Sequence, residues 1–127
     1  MEQEQVVAKI KIFCRDTERE VDAVFDTGAG SSYMSPDIAI EFPQCIQFLS
    51  KAIETETAER NADLVADKYI ATEIEFDNVD KPAIFLVPNR MKPGLIIIGR
   101  PELDRFNVQF TPNGPKSIKS PLRDTLL

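Results

Sequence analysis

A chain of 127 residues is long enough for one core of ordinary size and too short for two. Fifteen Lys and Arg against 21 Asp and Glu give a net charge of −6, which argues against nucleic-acid binding. The absence of histidine excludes Ser-His and Cys-His nucleophile pairs and His-ligated zinc, leaving carboxylates, Lys, Tyr and Ser for any catalysis. No run nears the roughly 20 apolar residues that cross a bilayer, so no membrane span is expected. The polar, acidic start Met1-Glu2-Gln3-Glu4-Gln5 is unlike a signal peptide and predicts a cytoplasmic protein. Cys14 and Cys45 form no Cys-x-x-Cys pair and are expected to be reduced and structural.

Val6 to Phe13 alternates apolar and polar residues and reads as a strand. Asp16 to Arg19 is a polar turn, and Glu20 to Phe25 is a second strand that closes a hairpin. Asp26 to Ser32 is a loop of small residues with two glycines. Ser35-Pro36-Asp37 then marks a helix start that ends before Pro43. Ala52 to Thr57 and Val65 to Phe76 are read as the strands of a long hairpin with its tip near Arg60-Asn61. A helix over Gln44 to Arg60 is the rival, because Glu, Ala, Lys and Gln favour helices. Asp77 to Asp80 is a turn, Ala83 to Val87 an apolar strand, and Leu95 to Ile98 a buried strand bounded by Gly94 and Gly99. Pro101 to Arg105 predicts a brief helix, Phe106 to Phe110 a strand, and the residues from Thr111, rich in Pro, Ser and Lys, a tail that is either extended or partly mobile. Many short strands with little helix predict an all-β chain, a small closed barrel or a sandwich.

The informative stretch is Val21 to Ser35, VDAVFDTGAGSSYMS. Asp26 ends an apolar strand, where a carboxylate is held rigidly and partly dry. The small residues after it allow a sharp turn and the close approach of another backbone or a substrate. Thr27 is placed to hydrogen-bond back into the loop and fix the carboxylate. On its own Asp-Thr-Gly is also an ordinary turn, in which Asp26 caps the loop with its own side chain. Context adds to it: Val24 and Phe25 precede the triplet, and some seventy residues later comes the apolar run Ile96-Ile97-Ile98-Gly99-Arg100.

With these two motifs, over roughly residues 6 to 110, the sequence resembles the retropepsin-like aspartic peptidases, the family of the retroviral proteases. The resemblance implies a small closed barrel of the retropepsin type with one or two short helices. It implies one domain over residues 1–127, with its core at about 6–110 and a tail, 111–127, that contributes to a dimer interface. It also implies a homodimer, since each chain supplies one Asp-Thr-Gly loop and two loops meet across a two-fold axis. The substrate would be a peptide or protein, and the chemistry needs no metal or cofactor. By carry-over, Asp26 is the catalytic carboxylate, Thr27 and Gly28 support the loop and the dimer, and Gly28 offers its carbonyl to substrate. Substrate-binding residues are expected at Gly28, Ala29, Gly30 and Ile98, and at the tip of a covering flap, Ala58, Glu59, Arg60 and Asn61. Two departures stand out. The flap tip lacks the glycine that family flaps carry, although Asn61 tolerates positive φ. In retroviral members an aspartate four residues after the catalytic one pairs with the arginine matching Arg100, and that position here is Gly30.

Ser31, Ser32 and Tyr33 have no base in sight and read as turn and core residues; Asp22 and the run Glu54, Glu56, Glu59 read as solvated surface. An aspartic endopeptidase is the leading reading. The alternative is a peptide-binding or dimerisation module of the same fold with little or no proteolytic activity, and a third is an unrelated β-barrel carrying a chance motif.

Overall fold

The computed structural model describes residues 5–56 and 63–118. The elements run β1 (Gln5–Cys14), β2 (Thr17–Asp26), β3 (Ser32–Met34), α1 (Pro36–Ala39), a 3₁₀ turn (Pro43–Cys45), β4 (Ile46–Glu56) and β5 (Asp63–Phe76). After these come β6 (Val79–Pro88), β7 (Ile96–Ile98), α2 (Arg100–Arg105), β8 (Val108–Thr111) and β9 (Gly114–Ser117).

Six strands close a barrel in the order β1-β2-β7-β3-β6-β5, with β1 returning to β5 through Lys11↔Glu75, Ile12↔Ile74 and Phe13↔Glu73. The barrel follows from alternation, since residues two apart along a strand share a face. Ile10, Ile12 and Cys14 of β1, Ile70, Ile74 and Phe76 of β5, and Ala83, Phe85 and Val87 of β6 all turn inward. The Phe76 ring lies 4.8 Å from that of Phe25, tilted by 48°, and meets Phe106 edge-on at 6.2 Å. β3 and β7 are buried along their whole length, and β7, Ile96-Ile97-Ile98, reads as a continuous apolar run rather than an alternation. A smaller cluster, Ala29, Tyr33 and Ile97 with Leu86, Met91 and Leu95, packs apart from the main core.

Turn chemistry sets the registers. Asp77 and Asn78 both take positive φ, 51° and 63°, as a two-residue hairpin turn requires, and Phe76 therefore pairs with Val79. β6 thus begins at Val79, inside the expected turn. The first hairpin is tighter than expected: Arg15 and Asp16 alone turn the chain, Arg15 at φ 54°, and Cys14 faces Thr17. The strand therefore starts three residues before Glu20. The hairpin at 46–76 is present and the rival helix over Gln44–Arg60 is not. β4 starts at Ile46 rather than Ala52, with an irregularity between Phe48 and Ile53. Its expected tip lies outside the described residues. Thr111 anchors a further turn, its hydroxyl accepting from Asn113 N–H at 3.2 Å and donating to the Gly114 carbonyl at 2.7 Å. The expected tail is therefore, as far as Ser117, the second strand of a hairpin.

The cysteines correct a second expectation. Cys14 at the end of β1 and Cys45 at the foot of β4 form a disulfide, their Cα atoms 6.1 Å apart. Strand pairing brings residues 31 apart in sequence within bonding reach, which spacing alone does not reveal. Closing a loop of that length stabilises by about 3–4 kcal/mol in the chain-entropy account. Reduction is expected to lower the melting temperature by on the order of 10 °C; equal melting of the oxidised and reduced protein would contradict this. Among the described residues no helix is long and apolar enough to cross a membrane.

Candidate active site

Asp26 closes β2 and is only 1 % exposed. Its main-chain carbonyl accepts from the Ala29 N–H at 3.2 Å, which folds residues 26–29 into a turn. Its Oδ1 accepts from the Gly28 N–H at 2.8 Å, the side-chain cap of an Asx-type turn. The carboxylate thus caps its own loop through Oδ1, as an ordinary turn would have it, and keeps Oδ2 for another partner. That partner is the Gln5 side-chain amide, whose Nε2 donates to Oδ2 at 3.1 Å.

Gln5 was not foreseen. The signal was the register of the first hairpin: with Arg15-Asp16 as the turn, Gln5 lies directly across from Asp26. A strand begun at Val6 and a turn placed at Asp16–Arg19 concealed that pairing.

The loop is braced from β7. Parallel pairing sets Val24 beside Ile97 and Phe25 beside Ile98, so the chain after Ile98 runs along the Asp26 loop. The Arg100 N–H donates to the Ala29 carbonyl at 2.8 Å. A Cβ on Gly99 would stand 2.1 Å from the Ser31 carbonyl oxygen and 2.8 Å from that of Ala29, so only glycine lets the two backbones meet. The apolar-apolar-glycine motif thus shapes the seat of the Asp-Thr-Gly turn.

Behind the loop lies a buried polar network that sequence reasoning also missed. Ser32 Oγ accepts from the Gly99 N–H at 2.8 Å and donates to Glu102 Oε1 at 2.5 Å. Glu102, 1 % exposed, also accepts from the Ile84 N–H at 3.2 Å and from Arg105 at 3.0 Å through Oε2. Arg105 reaches on to the Pro82 carbonyl at 2.9 Å. A buried carboxylate is costly unless paired and fully hydrogen-bonded, and these partners meet that need. The network fastens α2, β3 and β6 into one block behind Asp26. Its only trace in the sequence is the Glu102–Arg105 spacing of three, common on any helix surface.

Of the other expected site residues, Thr27 is half-buried in the turn, Gly28 and Gly30 are exposed, and Ala29 is buried. No atom lies within 4 Å of where a Gly30 Cβ would be. Ile98 is 1 % exposed and faces the barrel core. Its neighbour Ile97, also buried at 3 % exposed, points the other way and packs with Ala29 and Tyr33. Ala58, Glu59, Arg60 and Asn61 lie outside the described residues. Arg100 finds Asp104 at 3.8 Å, both side chains more than half exposed, a pairing that contributes little. No group of three or more metal-ligating side chains occurs among the described residues.

The fold matches solved structures across nearly all of their length. One is the EIAV protease complexed with the inhibitor HBY-793, at TM-score 0.58 and 15 % identity, covering 85 % of this chain and 93 % of that one. Another is the retroviral protease-like domain of Ddi1 from Leishmania major, at TM-score 0.61 and 15 % identity, covering 90 % and 95 %. The chain has a retropepsin-like fold. No family model matches the sequence, and no curated protein matches it either. At this identity the likeness concerns the fold alone.

Proposed function

We propose that the chain is one subunit of a homodimeric aspartic endopeptidase, a single retropepsin-like domain that supplies Asp26 to a shared two-carboxylate site. The observation that carries this reading is the seat of Asp26. A buried carboxylate ends a barrel strand, is fixed by its own Asp-Thr-Gly turn, and is backed by the Gly99 contact, all within a retropepsin-like fold. One chain holds one such carboxylate, so a second must come from a two-fold partner. Two carboxylates sharing a site resist joint ionisation and hold a proton between them. The ionised member takes a proton from water as that water attacks the peptide carbonyl. The protonated member gives its proton to the carbonyl oxygen. The carboxyl that took the water's proton then passes it to the nitrogen as the C–N bond breaks and the amine leaves. A hydroxyl of the intermediate returns its proton to the other carboxylate. No acyl-enzyme forms.

Thr27 and Gly28 are proposed to hold the two loops together and to offer a carbonyl to the substrate backbone. Ala29, Tyr33 and Ile97 are the proposed apolar wall beside the scissile bond. The 46–76 hairpin supplies the flap, whose tip at 58–61 would contact substrate. Among the described residues β1 pairs with β5 only through Lys11–Phe13, which leaves the early part of that edge without a strand partner and supports a dimer seam there; Val7 is 64 % exposed on that strand. The alternative, a peptide-binding or dimerisation module with little activity, is favoured by one observation: both oxygens of Asp26 are already engaged within the chain. Digestion of a degenerate peptide library by the wild type beside Asp26→Asn separates the two. Cleavage that vanishes in the variant supports the peptidase, and binding without cleavage supports the module.

A further inference from the structure

Asp26 is nearly inaccessible in the single chain, although its role needs a water and a second carboxylate beside it. Oδ1 is committed to its own turn, so Oδ2 is the oxygen left for chemistry, and Gln5 sits on it. Gln5 is itself exposed, the first described residue of β1, and faces Asp26 as its cross-strand neighbour. Directly opposed residues of an antiparallel pair place their side chains on the same face, about 5 Å apart, so the amide lies across the carboxylate with no need for strain. A carboxamide cannot take up or give the proton that the reaction moves. An exposed side chain held by one hydrogen bond is cheaply displaced, since its amide exchanges that bond for one to water.

We propose that Gln5 is a latch on Asp26: its amide closes Oδ2 in the single chain, and leaves that oxygen when the site is armed. This rests on the peptidase reading for its purpose, although the latch itself is observable without any cleavage. It makes Gln5 a positioning residue with an autoinhibitory contact, and it links the N-terminal strand, the proposed dimer seam, to the state of the carboxylate.

The test is chemical access to Asp26. A small epoxide esterifies an accessible carboxylate: the oxygen attacks a ring carbon, the ring C–O bond opens, and the alkoxide takes a proton from water. Wild type, Gln5→Ala and Gln5→Leu are labelled under identical conditions, and the modified peptide is quantified by mass spectrometry. Asp26→Asn serves as blank and the exposed Asp22 as internal reference. Labelling of Asp26 is expected to rise about fivefold or more in both Gln5 variants, with Asp22 unchanged. Leu matches Gln in bulk but cannot donate, so a rise confined to Ala would overturn the hydrogen-bonded latch. Equal labelling in all three proteins would overturn it too. Melting curves recorded alongside must coincide, because a rise that tracks lost stability reports unfolding and counts against the latch. Peptide cleavage assayed in parallel keeps the two readings apart. Freed labelling with no cleavage by any variant rejects the peptidase and keeps the latch, whereas cleavage by the wild type with unaltered labelling does the reverse.

Discussion

Asp26→Asn is expected to reduce peptide cleavage roughly 10³-fold or more while leaving fold and assembly in place, since positioned acid–base groups contribute about 10²–10⁴-fold. Asparagine has nearly the same shape. Its carbonyl oxygen keeps the bond from the Gly28 N–H, and Gln5 can turn its own carbonyl toward the new amide, so no buried group loses its partner. What disappears is the capacity to accept a proton from water and to share one with a second carboxylate. Two neutral amides also remove the like-charge repulsion across the proposed two-fold axis, so the assembly should be at least as stable as in the wild type. Cleavage near the wild-type rate by the purified variant would assign catalysis to another residue.

Much of the architecture was legible because alternation is a short-range signal. β1, β5 and β6 betray themselves by inward residues at every second position, and the β7 run is apolar throughout. The turn after Asp26 was legible too, since an apolar strand followed by small residues and two glycines marks a sharp change of direction. Contacts made between elements distant in sequence were not legible. The Cys14–Cys45 bond and the link from Ser32 to Glu102 depend on which strands become neighbours. Which of Ile97 and Ile98 faces the barrel core was not legible either, because a three-residue strand buried on both faces gives no alternation by which to tell them apart. Gln5 was missed through the register of a single turn.

Gly99→Ala is expected to be the most damaging single methyl addition in the described chain. The new Cβ would meet the Ser31 carbonyl oxygen at 2.1 Å and its carbon at 2.6 Å, and both are backbone atoms that cannot swing aside as a side chain would. Either β7 separates from the 29–32 segment or the loop is pushed out. Each breaks the Arg100–Ala29 and Gly99–Ser32 hydrogen bonds and unseats Asp26. Overpacking typically costs about 1–3 kcal/mol, and the loss of these bonds places this case at about 3 kcal/mol or above. Gly30→Ala is the matched control, because nothing lies within 4 Å of its Cβ; it should stay within about 0.5 kcal/mol of wild type. Denaturant midpoints compare the two, and equal stability would remove Gly99 from its role as the seat of the loop.

The central claim is that one functional site takes an Asp26 from each of two chains, and mixing tests it directly. Wild type and Asp26→Asn are combined at fixed total concentration, allowed to exchange subunits, and assayed on a cleaved peptide. A shared site makes mixed dimers inactive, so the rate should fall as the square of the wild-type fraction, to about a quarter at equal parts. A rate that falls only in proportion to the wild-type fraction would show that each chain works alone, and would contradict the shared site.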